Sequence, residues 1–325
     1  TPGVRQMAVA YDELRSLIGR TDNDNRPGFF AVKPEPPARL PAVRPDSLEL
    51  EYANLATRLE PETGILWAHF LHRQRACFTA ELLADLRHFQ DWLRDSFGAC
   101  TREEMPFRHL VWASRAPGAW NMGGNLASFT GLIRDQDEGA LRAYAYRCID
   151  ILHDNYRGLD LPIMTVALVQ GDAVGGGFEA MLTNDVVVAE RTAKFGLPEI
   201  LFNLFPGMGA HSLLRRRVGE RTARLLIEDG KSRSAEEMHE LGLVDLVCEP
   251  GEGERALRRF LAERAGRFGT DLALKRARRR TDLLSKAELI DIVDLWVELA
   301  LELGEPELRR MDCLARHQER RRAQA

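Results

Sequence analysis

Two glutamates, Glu179 and Glu199, stand in unusually apolar surroundings for acidic residues. Glu179 lies between Phe178 and Ala180, and Glu199 lies within the segment FGLPEILF. Burial disfavours the charged form of a carboxyl group and raises its pKa towards neutrality, where the group can both take and give a proton. Either residue could instead be an ordinary acid in the first turn of a helix, favoured there by the helix dipole. Together they indicate general acid/base chemistry.

Two glycine-rich segments precede these acids in the sequence. Gly175 to Gly177 follow an apolar run, and Gly123 and Gly124 lie in the segment WNMGGNL. Glycines at the start of a helical stretch leave peptide N–H groups without intrahelical acceptors, and such groups suit a developing anion. A tight strand-to-helix turn is the alternative, whereas a phosphate-binding loop lacks its Gly-Lys-Ser/Thr ending. Two donors from separate loops could form an oxyanion hole.

Strand and helix patterns alternate through the part of the chain that carries these residues. The apolar run at 162–170 and the run DVVVA at 185–189 are typical of strands buried on both faces. Such alternation predicts stacked α/β units, and the pattern becomes mostly helical from Ser234. Further strands are predicted at 48–55, 64–71 (a hairpin with the first) and 108–113, a glycine-rich loop at 119–125, and helices at 79–92, 139–156, 255–267, 286–303 and 306–322.

The composition is that of an ordinary globular protein. The chain has 325 residues, a net charge of −4 and five scattered cysteines, with no pattern typical of a metal site or of a disulfide framework. Neither nucleic-acid binding nor a membrane span is predicted, and the expected location is the cytoplasm. Arginines cluster at 215–217, 276–280 and 320–322. They suit an acidic carrier protein or the phosphates of coenzyme A, although for any single cluster a solvated helix face with intrahelical ion pairs is the simpler explanation.

Three regions are predicted along the chain. Residues 1 to 45 are rich in proline and turn-forming residues, which predicts a flexible arm or a segment that packs on a neighbouring subunit. Residues 46 to 250 contain the alternating strands and helices. Residues 251 to 325 form a helical C-terminal part.

The motifs ALVQGDAVGGGFEA, DVVVAERTAKFGLPEI, FPGMG and SAEEMHELGLVDLV closely resemble the crotonase (enoyl-CoA hydratase/isomerase) superfamily. The stretches WNMGGNLASF, RCIDILH, GLPEILFNLFPGMGAHS and LWVELALELGEPELRRMD are similar to a narrower group, the diffusible signal factor synthases. The resemblance implies an α/β fold with a ββα spiral core and a helical C-terminal domain. It also implies a trimer, or a hexamer built from two trimers. Asn125, Asp172 and His211 depart from the typical patterns.

The resemblance implies a role for six residues. The N–H groups of Gly124 and Gly176 match the oxyanion donors, Glu179 and Glu199 match the acid/base pair, and Met208 and Trp296 match positions that line the acyl pocket. No metal and no bound cofactor are implied, since the acyl group arrives on the phosphopantetheine of acyl carrier protein or of coenzyme A.

The narrower resemblance implies a dehydratase that converts a 3-hydroxyacyl thioester to a cis-2-enoyl thioester and hydrolyses it to release the fatty acid signal. No GxSxG nucleophile elbow is present, so a covalent acyl-enzyme is not expected. The alternatives are a conventional enoyl-CoA hydratase or isomerase and a non-catalytic interaction protein that binds, for example, a sensor kinase.

Overall fold

The computed structural model describes residues 48, 50, 52–73 and 75–324, with side chains described as far as residue 316. The predicted N-terminal arm, residues 1 to 45, lies outside these residues. The division into regions at residue 250 and the assembly into trimers stay predictions.

The described residues form ten strands and ten α-helices. The strands are β1 (Leu55–Glu60), β2 (Ile65–Phe70), β3 (His109–Ser114), β4 (Ala119–Asn121), β5 (Met164–Val169), β6 (Asp172–Val174), β7 (Val186–Glu190), β8 (Lys194–Gly196), β9 (Arg233–Ser234) and β10 (Leu246–Cys248). The helices are α1 (Ala80–Phe97), α2 (Leu126–Arg134), α3 (Glu138–Tyr156), α4 (Gly176–Leu182), α5 (Ala210–Glu228), α6 (Ala235–Glu240), α7 (Gly253–Glu263), α8 (Phe268–Thr281), α9 (Lys286–Leu301) and α10 (Glu305–Gln324).

The larger sheet has the strand order β1-β2-β3-β5-β7-β10. β1 and β2 form an antiparallel hairpin, and every other neighbouring pair in this sheet is parallel. All residues of β2, β3, β5 and β7 are buried, as expected for parallel strands covered by helices on both faces. The fold class predicted from the sequence is therefore confirmed: an α/β core with parallel strands is followed by a helical region.

The smaller sheet positions the residues that could do chemistry. It has the order β4-β6-β8-β9, and β4, β6 and β8 are parallel to one another. Parallel neighbours end at the same edge of a sheet, so the segments that follow these strands lie close together. These segments are the Gly123-Gly124 turn after β4, the glycines that start α4 after β6, and the Glu199 segment after β8.

Helices from the C-terminal region pack beside this edge. α9 contacts α3, and α10 contacts α2. Trp296 of α9 packs edge-on against Phe129 of α2, with ring centroids 5.4 Å apart. The helical region after residue 250 thus supplies one wall of the space in front of the smaller sheet.

The structure corrects three predicted elements. The first strand of the hairpin begins at Leu55 and not at Leu48, because the pairing with β2 runs from Leu55, opposite Phe70, to Glu60, opposite Ile65. The predicted loop at 119–125 begins with β4, so its first residues belong to a sheet. The predicted helix at 255–267 ends its α-helical part at Glu263 and continues as a short 3₁₀ turn, Ala265–Arg267.

Candidate active site

The turn after β4 and the start of α4 touch each other through backbone atoms. Gly123 has φ +87°, and a Cβ atom there would lie 2.7 Å from the N atom of Gly176 and 2.8 Å from the O atom of Val174. Only glycine combines this backbone conformation with so close an approach. The first glycine segment is therefore held directly against the second.

Two peptide N–H groups at this junction, those of Gly124 and Gly176, donate to no acceptor among the described residues. Gly176 is the first residue of α4, where N–H groups have no intrahelical partner. The Phe78 N–H donates to the Gly123 carbonyl at 2.7 Å. Because a trans peptide directs its C=O and N–H to opposite sides, this bond makes the Gly124 N–H point away from Phe78. Gly124 and Gly176 both line the same cavity.

Glu179 lies in the first turn of α4 and is 1% exposed. Its Oε1 atom accepts hydrogen bonds from the N–H groups of Met208 (2.8 Å) and Ala210 (2.9 Å), which belong to the turn that starts α5. Oε2 makes no hydrogen bond with a described residue. Burial raises the pKa of Glu179 above its ordinary value of 4.5, and the two backbone donors partly oppose that rise.

Glu199 begins a 3₁₀ turn, Glu199–Phe202, directly beside the first glycine of the triplet. A Cβ atom on Gly175 would lie 2.8 Å from the Glu199 Oε1 atom, so a larger residue there would displace this carboxyl group. The Oε2 atom is buried and has no hydrogen-bond partner among the described residues. Burial, and then the nearby charge of Glu179, raise the pKa of Glu199 above 4.5.

One cavity joins these groups. It is lined by all six residues singled out in the sequence: Gly124, Gly176, Glu179, Glu199, Met208 and Trp296. A Cβ atom on Gly176 would lie 2.6 Å from the Met208 sulfur, so this side chain covers the start of α4. The structure brings the six residues together, and the role of each stays a prediction.

The rest of the lining is largely apolar and was not identified from the sequence. It includes Leu126, Phe129, Tyr144, Val293 and Met311. These side chains come from α2, α3, α9 and α10, and helical periodicity indicated only that each has a buried face. Which buried face meets the cavity depends on how the helices pack, so the sequence carried no local signal for it.

The three residues that depart from the family patterns have structural partners. Asn125 is the N-cap of α2, and its side chain accepts the Ser128 N–H. Asp172 accepts the Lys194 N–H at 3.1 Å. The His211 ring lies edge-on to Phe205 at 5.7 Å. None of the three lines the cavity.

The arginine clusters divide into paired and unpaired side chains. Arg216 forms ion pairs with Glu288 and Asp282, and Arg279 forms one with Asp185. Arg276, Arg278 and Arg280 are exposed, and among the described residues none of them has an acidic partner within ion-pair distance. The side chains of the cluster at 320–322 lie outside the described part of the chain.

The described residues lack two features, a membrane-spanning helix and a metal-binding cluster. No helix there is both long enough and apolar enough to cross a membrane. No group of three or more histidine, cysteine, aspartate or glutamate side chains is arranged to hold a metal ion in the same part of the chain.

The two sheets, the helical region and the cavity at the strand ends define an α/β protein of the crotonase type. The chain belongs to the enoyl-CoA hydratase/isomerase family, whose model matches residues 100–268. The fatty acid oxidation complex subunit alpha of Idiomarina loihiensis is 39% identical over 130 residues, which are 40% of this chain but only 17% of that relative. The chain thus spans less than a fifth of that relative's length.

Solved structures share the fold. The enoyl-CoA hydratase from Bacillus halodurans superposes with a TM-score of 0.66 at 22% identity, covering 80% of this chain and 100% of that one. An enoyl-CoA hydratase/isomerase from Xanthobacter autotrophicus Py2 gives a TM-score of 0.66 at 18% identity, covering 84% and 97%.

Proposed function

We propose that this protein adds water to, or removes it from, the α,β-carbons of an acyl thioester, interconverting 2-enoyl and 3-hydroxyacyl forms. The observation that carries the proposal is the position of two buried carboxyl groups at the cavity that also holds two unpaired peptide N–H groups. Family membership supports a thioester as substrate, since such enzymes act on coenzyme A esters.

The two N–H groups would bind the thioester oxygen. As a proton enters or leaves the α-carbon, negative charge develops on this oxygen, and the donors of Gly124 and Gly176 stabilise it. Removal of one such donor typically lowers kcat about 10²- to 10³-fold in enzymes that use an oxyanion hole. The apolar lining excludes water and strengthens these interactions.

The resting states of the two glutamates are part of the proposal. Two backbone N–H groups stabilise the anion of Glu179, whereas Glu199 has a buried oxygen with no described partner and would retain a proton. In hydration, the Glu179 carboxylate takes a proton from water as the oxygen bonds to the β-carbon, and Glu199 donates its proton to the α-carbon. Dehydration reverses both transfers, so the proton returns to Glu199 and water leaves.

Two acids favour hydration chemistry over double-bond isomerisation. Moving a double bond along the chain shuttles one proton between two carbons, which a single carboxyl group can do. Adding water requires one group to activate the water and another to protonate carbon. Glu179 and Glu199, both lining the cavity, satisfy that requirement.

A finer proposal follows the resemblance to the diffusible signal factor synthases. The same site would dehydrate a 3-hydroxyacyl group on acyl carrier protein and then hydrolyse the cis-2-enoyl thioester. For this second activity, the Glu179 carboxylate left by dehydration would take a proton from the attacking water, and the carrier would leave as its thiol. The exposed Arg276, Arg278 and Arg280 supply positive charge for an acidic carrier.

The first experiment measures hydration of 2-enoyl-CoA esters of increasing chain length by the loss of conjugated-thioester absorbance. Glu179→Gln and Glu199→Gln should each lower kcat about 10²- to 10⁴-fold, because each removes one proton-transfer step. Glu298→Gln, an exposed residue of α9, is the matched control and should retain wild-type kcat. Unchanged turnover in both active-site variants would refute the proposed mechanism.

A second experiment separates the finer proposal from a conventional hydratase. Matched 3-hydroxyacyl substrates on coenzyme A and on acyl carrier protein are assayed for free thiol and for free fatty acid. Release of both from the carrier-protein substrate supports the signal-synthase reaction, whereas hydration without thiol release supports the conventional one. If wild-type protein turns over neither substrate, the non-catalytic role gains support, and a pull-down with the Glu179→Gln/Glu199→Gln variant tests it.

A further inference from the structure

Asn121 is the last residue of β4, and its side chain lies inside the protein with none of its surface exposed. The Oδ1 atom accepts the N–H of Gly123 at 2.8 Å. A side-chain oxygen that accepts the N–H two residues later forms an Asx turn, which fixes the backbone locally. The residue therefore controls the turn that leads to Gly124.

The turn is held from three sides. The Met122 N–H donates to the Ala76 carbonyl at 2.6 Å, and the Gly123 carbonyl accepts the Phe78 N–H at 2.7 Å. The third hydrogen bond, from the Gly123 N–H to Asn121, is the one of the three that a side chain accepts. The other two are backbone groups that a substitution leaves in place.

The Phe78 N–H holds the peptide between Gly123 and Gly124 directly, and Asn121 holds the peptide before it, so both bonds together restrain a segment in which steric restraint is weak. Glycine on both sides leaves the flanking torsions free of Cβ clashes. A flipped peptide would present the Gly123 carbonyl to the cavity in place of the Gly124 N–H. A carbonyl oxygen there would repel the thioester oxygen instead of stabilising its charge.

The amide nitrogen of Asn121 lowers the stability of the folded protein. Its Nδ2 atom is buried with no acceptor among the described residues. A buried polar group without a partner destabilises a protein, so stability alone would favour an apolar side chain at this position. The oxygen that holds Gly123 is the part of the side chain with a partner.

We propose that Asn121 is a positioning residue: its Oδ1 atom locks the Gly123 turn so that the Gly124 N–H faces the thioester oxygen. The inference rests on the proposed function, because it assigns a purpose to the oxyanion donor. Asn121 itself does not line the cavity and touches no reacting atom.

The test compares Asn121→Ala with Asn121→Ser. Both substitutions remove a similar volume of side chain, and the two variants differ by one hydroxyl group. A serine hydroxyl can accept the N–H two residues later, although more weakly than asparagine. Asn121→Ala should lower kcat for enoyl-CoA hydration about 10- to 100-fold, with KM changed less than about threefold, because the donor acts in the transition state. Asn121→Ser should recover a measurable part of the lost kcat.

A second readout reports on the donor without turnover. The infrared C=O stretch of a ¹³C-labelled enoyl-CoA moves to lower frequency when an oxyanion hole polarises the bound carbonyl. This shift should be largest in the wild-type protein, smaller in Asn121→Ser and smallest in Asn121→Ala. A structural defect alone would lower the melting temperature of both variants equally and would leave the shift of the folded fraction unchanged.

The outcomes separate the inference from the proposed function. Equal kcat in wild type and Asn121→Ala, equal losses in both variants, or an unchanged carbonyl shift would overturn the role of Asn121 while the hydratase stands. A shift in the wild type without hydration would overturn the reaction but leave the positioning role supported. If the wild-type protein itself produces no shift, the oxyanion site is wrong and the role of Asn121 falls with it.

Discussion

At the scale of single residues, the unusual feature is a pair of carboxyl groups with unequal partners. Glu179 receives two backbone hydrogen bonds, and Glu199 has a buried oxygen without a described hydrogen-bond donor. Both acids have a raised pKa, chiefly because burial penalises their charged forms. This raised pKa also affects stability, since the folded protein binds protons more tightly than the unfolded chain does.

The pH dependence of stability tests these shifts. The contribution of Glu199 to stability is fully present below its ordinary pKa of 4.5 and is lost as pH rises through the raised pKa of the folded state. Glu199→Gln cannot ionise, so its melting temperature should exceed that of the wild type by a margin that grows from pH 5 to pH 8. Differential scanning calorimetry measures this margin, and the exposed Glu298→Gln should show no such trend. A margin independent of pH would contradict the assignment.

Both acids could be singled out as candidates from the sequence, because an acidic side chain between apolar neighbours is conspicuous. Their partners could not be predicted in the same way. The N–H groups of Met208 and Ala210 reach Glu179 only because α5 starts beside α4, and no pattern within either segment encodes that contact. The Asx turn at Asn121 could have been predicted from the sequence, because an asparagine two residues before a glycine is a local turn signal.

At the scale of elements, three parallel strands of the smaller sheet end at one edge and so bring together segments far apart in sequence. Among the strands of the larger sheet, β1 was placed too early in the sequence and β10 was not predicted, whereas β3, β5 and β7 were predicted close to their observed bounds. Their uninterrupted apolar runs are typical of strands buried on both faces. α8 was missed because its arginine-rich sequence has only a narrow apolar side, formed by Phe268 and Leu272.

Two glycines in helices predict opposite effects of the same substitution. Gly131 lies inside α2 with open space around its missing Cβ atom, so Gly131→Ala should raise the free energy of unfolding by about 0.4–1 kcal/mol. Gly219 interrupts α5 with φ +76° and ψ 166°, a conformation nearly restricted to glycine. Gly219→Ala should lower the free energy of unfolding by about 1–3 kcal/mol despite the open space. Urea denaturation of both variants measures the difference, and changes of the same sign would contradict it.

At the scale of the whole molecule, ion pairs hold α8 against the core. Asp185, whose side chain is 6% exposed, accepts a hydrogen bond from Arg279 at 2.8 Å and lies 3.7 Å from the Lys275 ammonium. It also accepts the Thr165 N–H of β5 through its other oxygen. One carboxylate therefore connects α8 to the larger sheet.

Removal of that charge should be costly. Asp185→Asn leaves Arg279 and Lys275, both largely buried, without their anion, and the expected loss is about 3–5 kcal/mol of unfolding free energy. Urea denaturation should show a lower midpoint with an unchanged slope. Glu263→Gln breaks an exposed pair with Arg259 and serves as the control, with no measurable change expected. Equal effects of the two substitutions would contradict the role given to Asp185.

The cavity receives its reactive groups and its apolar walls from different parts of the chain. Peptide donors and carboxyl groups come from strand ends near residues 121–210, whereas Val293, Trp296 and Met311 come from α9 and α10. Changes in those two helices can therefore reshape the space available to a ligand without moving a proton-carrying atom. Substitutions in α9 and α10 can therefore change which ligand fits the cavity, while the groups that would transfer protons stay in place.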